Sequence, residues 1–113
     1  MSYSVKVMAE ELMLDPSDVR EIVEAFFEDA HPLLQEGKAA FQTGDRQLLS
    51  RKMHALKGSA LNMRMESLGR LAAQAEKNAP FSDPELAEIL TAIQNELAAV
   101  EASVISFYRE GPE

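Results

Sequence analysis

The chain contains no cysteine. That removes disulfides, thiol nucleophiles and thiolate metal sites together, and it suits a reducing cytoplasm, the expected location. No apolar run reaches the roughly 18 residues that a membrane-spanning helix needs, so no membrane partner is expected. The opening residues, MSYSVKVMAEEL, lack the basic start and apolar core of a signal peptide. No β-branched run alternates with polar residues, so strands are not expected. No glycine-rich loop resembles a nucleotide cradle. Histidine occurs only twice, as His31 and His54 on different segments. Neither has a His or Glu four residues further along its face, so no metal site is expected. Positive charge is scarce: 11 Lys and Arg against 19 Asp and Glu give a net charge of −8. A nucleic-acid backbone should be repelled by such a chain.

What is present is helical periodicity. The 113 residues suffice for a single domain, 1–113, around one core. A short helix is expected near Val5 to Met13. Asp15-Pro16 then offers an N-cap and a first-turn proline, with Asp18 three residues on. Val19, Val23, Phe26, Ala30, Leu33, Gly37 and Phe41 form the next apolar stripe, which continues through Pro32. Gly44 suits the left-handed residue after a helix, and Asp45 suits the next N-cap. Two further stripes follow: Leu49, Met53, Leu56, Ala60, Met63, and then Met65, Leu68, Ala72, Ala75, Ala79. Residues 80–84 read as a loop with Ser82 or Asp83 as the cap. Leu86, Leu90, Ile93, Leu97, Val100, Val104 and Phe107 make the last stripe. The fold class is therefore all-α: an antiparallel four-helix bundle with a short additional N-terminal helix. The stripes are core, and Met53 and Met63 fill it.

The scarce positive charge is clustered. Arg46, Arg51, Lys52, Lys57 and Arg64 fall in a 20-residue segment without Asp or Glu, and the other six basic residues share the rest of the chain with all 19 acidic ones. His54 lies inside this positive island, in the stretch His54-Ala55-Leu56-Lys57-Gly58-Ser59-Ala60. Glycine within a helix costs about 0.5–1 kcal/mol against alanine. At about 100° per residue, with Met53 at zero, the stripe centres near about 310° and His54 falls at about 100°. Gly58 falls at about 140°, Leu61 at about 80° and Lys57 at about 40°. His54 thus points to solvent, beside a residue without a side chain, a cation on the shoulder and an exposed leucine. A hydrolytic triad needs a pocket and an oxyanion hole, which the outside of a bundle lacks. An exposed imidazole, largely neutral near pH 7, suits nucleophilic attack on a phosphoryl group, with Lys57 offsetting the charge on its oxygens.

These residues resemble the H-x-L-K-G-S-[SA] signature of histidine phosphotransfer (HPt) domains, which carry phosphate between aspartates in phosphorelays. The similarity extends over about residues 15–100, including Gly44-Asp45, Leu68, Leu71, Phe26-Phe27 and Leu33-Leu34. The resemblance implies that His54 is phosphorylated on the ring nitrogen farther from the backbone, that Lys57 stabilises the phosphoryl group, and that Gly58 admits the partner's loops. It implies a receiver domain of a response regulator, or a histidine kinase, as partner. The protein would be a carrier rather than an enzyme, with no cofactor of its own and Mg²⁺ in the partner receiver. Leu61, Arg51 and Arg64 would serve docking. Glu76 stands 22 residues after the histidine, where family members often have Gln or Glu, and would contact the imidazole or the phosphoryl group. Arg64 replaces a glycine that usually helps to end the helix. Two alternatives are a non-catalytic adaptor that docks through the His54 face, and a separate phosphoacceptor domain of a chemotaxis-type kinase.

Overall fold

The computed structural model describes residues 3–110. Five helices follow in order: α1 (Val5–Leu12), α2 (Pro16–Gln42), α3 (Arg46–Asn62), α4 (Glu66–Lys77) and α5 (Asp83–Glu110). The last four form an antiparallel bundle and α1 packs on α2. The antiparallel sense of α2 and α5 is visible in their cross-links. Tyr108 donates to the Pro16 carbonyl, His31 meets Glu101 at 2.9 Å, and Lys38 donates to Gln94 at 2.6 Å.

The expected punctuation is where the sequence puts it. Gly44 adopts φ +79°. The Gly44 and Asp45 N–H groups return to the Phe41 and Ala40 carbonyls, the paired bonds of a Schellman end. Asp45 then caps α3 by accepting from the Leu48 N–H. Of the two caps offered for the last helix, Ser82 is used. Its hydroxyl accepts from Glu85 N–H while the Glu85 carboxylate accepts from Ser82 N–H, a reciprocal capping box. Asp15 starts α2 by its backbone geometry alone, without a side-chain cap bond.

Three expectations need correction. After Pro32 the fully buried α2 residues are Leu34, Gly37 and Ala40, with Leu33 and Phe41 only partly buried at the core edge. There α2 is covered on two flanks, by α3 and α5, and its buried face is wider than a single line of residues. Helix α4 stops at Lys77, with Asn78 left-handed at φ +41°, so Ala79 is exposed outside it. Phe107 is partly buried. Helix α2 does continue through Pro32, which lies on its exposed side, where the carbonyl released by the missing N–H meets water.

The core fixes the azimuth of α3. Met53 and Leu56 are fully buried, with Leu49 before them and Ala60 after. Burial of a Leu or Met side chain is worth about 1.5–3 kcal/mol. Rotating α3 by one residue would expose this set, so His54, wedged in sequence between Met53 and Leu56, is held outward by its neighbours' burial. Met63 and Met65 are also buried, on either side of the turn into α4.

Candidate functional site

His54 lies in the middle of α3 with its side chain 69% exposed. Its Nδ1 is 2.8 Å from Glu76 Oε2, and the other Glu76 oxygen is 2.7 Å from the Lys57 ammonium. One carboxylate from α4 thus ties together two α3 residues one turn apart. The turn that carries it is braced by the Ser50 hydroxyl, which donates to the Glu76 carbonyl at 2.8 Å. The hydrogen bond from Lys57, followed by that from His54, holds the Glu76 carboxyl below its ordinary pKa against the opposing effect of partial burial. An ionised carboxylate only accepts, so Nδ1 of His54 carries the proton. The ring lone pair then lies on Nε2, which points away from Glu76.

The surface one turn on from His54 is open. A Cβ built on Gly58 would meet nothing within 4 Å. Leu61 is 44% exposed, in keeping with its position near His54 on the wheel. The positive island is mostly neutralised. Lys52 pairs with Glu36 at 2.9 Å, Lys57 with Glu76, and Arg64 with Glu11 at 3.0 Å. Arg46 pairs with Asp83 and donates to the Asn78 and Phe81 carbonyls, tying down the loop before α5. Among the described residues, Arg51 alone of the five has no acidic partner, and it sits one turn before His54.

Arg64 occupies the left-handed position, φ +62°, that ends α3, and the bonds from its own N–H and that of Met65 close a Schellman turn onto Leu61 and Ala60. The helix therefore ends as a glycine would end it. Its guanidinium is turned to Glu11 and to the Asn62 carbonyl, about 15 Å along α3 from His54.

A concavity of about 820 Å³ lies elsewhere: between α2 and α5, lined by Phe27, His31, Pro32, Val104, Ile105 and Tyr108 among others. It contains His31, whose Nε2 is engaged by Glu101. The two histidines therefore differ, since among the described residues only His54 leaves its distal nitrogen without a partner.

A family model described as Hpt domain matches residues 21–103. The chain belongs to the Hpt domain family. Membership gives it a histidine phosphotransfer role in phosphorelays, in a family of helical-bundle phosphocarriers that interact with receiver domains and kinases. Neither a curated protein nor a solved structure matches the chain. Within this Hpt domain, Glu76 contacts the His54 imidazole, as one of the two expectations for it had it, and it contacts Lys57 as well, which sequence reasoning did not foresee. It also passed over Gly69 in α4, although a glycine inside a helix was the signal that singled out Gly58.

Proposed function

We propose that this Hpt domain carries a phosphoryl group on Nε2 of His54, taken from the aspartyl phosphate of a receiver domain and passed to another aspartate. The Nε2 lone pair forms the N–P bond while the P–O bond to the donor aspartate breaks and its carboxylate leaves. The product is a phosphoimidazolium whose Nδ1–H remains directed at Glu76. As the ring becomes electron-poor, the Glu76 carboxylate stabilises the positive charge that develops on it. Lys57 lies at hand to turn from Glu76 toward the phosphoryl oxygens. The receiver supplies Mg²⁺ and most of the catalysis. The observation that carries the reading is the 2.8 Å contact from His54 Nδ1 to Glu76, which leaves Nε2 as the free nucleophile on a face cleared by Gly58.

Incubation with phosphorylated receiver domains tests it. The wild type should acquire acid-labile, alkali-stable phosphate, and His54→Gln should acquire none. The variant should fold normally, losing no more than about 0.5 kcal/mol, because the replaced side chain is exposed. Phosphate retained by the variant would move the acceptor role to His31.

A further inference from the structure

Gly69 is buried although it has no side chain, because Leu61 lies across it. A Cβ at Gly69 would stand 2.5 Å from Leu61 Cδ2 and 2.9 Å from Cγ, and the third-nearest atom, Cδ1 at 3.8 Å, also belongs to Leu61. The glycine makes room for that one side chain. A glycine inside a helix weakens it, and a leucine on an exposed helix face has solvent to swing into, so core packing alone does not call for this arrangement. Leu61 nevertheless keeps 44% of its surface exposed. It lies two turns after His54, within about 20° of it on the helix wheel and next to the open face of Gly58.

We propose that Gly69 is a positioning residue for partner docking: it sinks Leu61 into the seam between α3 and α4. The outer half of the leucine then forms a low apolar anchor beside His54. The anchor fits a receiver domain that presents an apolar patch next to its phosphorylated aspartate. This inference rests on the carrier reading above. In the docked state Leu61 is the kind of central apolar contact that dominates binding energy, and its height above the surface sets how closely Nε2 can approach the donor phosphorus. A methyl group at Gly69 must lift Leu61 by about 1 Å to reach ordinary contact distance.

Four proteins test this: wild type, Gly69→Ala, Leu61→Ala and the double variant. Each is measured by single-turnover transfer from a phosphorylated receiver, by uptake from phosphoramidate, and by thermal unfolding. Gly69→Ala should unfold at the wild-type temperature or higher. Its rate with the receiver should fall about tenfold more than its rate with phosphoramidate. Leu61→Ala should show the same preferential loss. The double variant should be no slower than Leu61→Ala, since Gly69 acts only through Leu61. Equal losses with both donors, an unchanged receiver rate, or losses that add in the double variant would overturn the proposal. If Gly69→Ala proves unstable, Leu61→Ala decides, and wild-type transfer by that variant overturns the anchor. A wild type that takes no phosphate from either donor would instead be a failure of the carrier reading itself.

Discussion

Lys57 and Glu76 make opposite demands on one another. In the resting site the Lys57 ammonium is held by the Glu76 carboxylate, and its charge is compensated. To act on a phosphoryl group it must leave that partner. Lys57→Ala should therefore slow transfer from a receiver about tenfold, at the low end for a cation facing developing charge, because on the proposed reading the receiver's Mg²⁺ would share that charge. It should leave docking intact. Single-turnover rates and a separate binding measurement check this, and an unchanged rate removes Lys57 from the chemistry. Glu76 also links the site to stability. Folding lowers its pKa, so its contribution is present above the unfolded-chain value and is lost as pH falls through the folded one. Glu76→Gln should be less stable than wild type at neutral pH, and the two should converge in acid. Unfolding curves from neutral pH downward measure the gap, and a gap that stays constant with pH would contradict the linkage.

At the scale of the helix, α3 presents His54 because its apolar residues leave it no other orientation, and Gly58 is an opening on that presented face. The open space around an added Cβ fits two accounts of this glycine, a tolerated helix defect or a clearance for the partner, and one variant separates them. Gly58→Gln should fold at least as stably as wild type, since helix propensity improves. It should react with phosphoramidate yet fail with a phosphorylated receiver, because the new side chain projects into the interface one turn from His54. Normal transfer from the receiver would reduce Gly58 to a tolerated helix defect. This face was legible in the sequence because heptad-like spacing fixes azimuth. The partners of charged residues were not. Glu36, Glu76, Asp83 and Glu11 lie 16 to 53 residues from the bases they pair with. Only the folded chain shows that a segment without Asp or Glu is largely neutralised. Gly69 was hidden for a related reason, since the residue it accommodates sits on another helix. The end of α3 at Arg64 contradicted no rule about turns; the left-handed position simply tolerates arginine there, at about 1–2 kcal/mol in a residue with a Cβ.

Across the whole molecule, two long helices and three shorter ones make a body of 45 × 20 × 18 Å. The candidate site lies on the α3–α4 side and a groove of about 820 Å³ lies between α2 and α5. Sequence periodicity was enough for the helix count, the connections and most of the core, because each depends on neighbours within a few residues. It placed Leu33, Phe41 and Ala79 wrongly where burial depends on which helix arrives from elsewhere. The two histidines illustrate the same limit. Their environments were not distinguishable in detail until Glu101 was found on Nε2 of His31 and Glu76 on Nδ1 of His54. That difference gives the most direct test of the central claim. The protein, labelled with ¹⁵N in its histidines and phosphorylated by a receiver, is examined by NMR for coupling between phosphorus and the ring nitrogens. The account predicts a single phosphohistidine, His54, bonded through Nε2. Phosphate on Nδ1 of His54, or on His31, would contradict it.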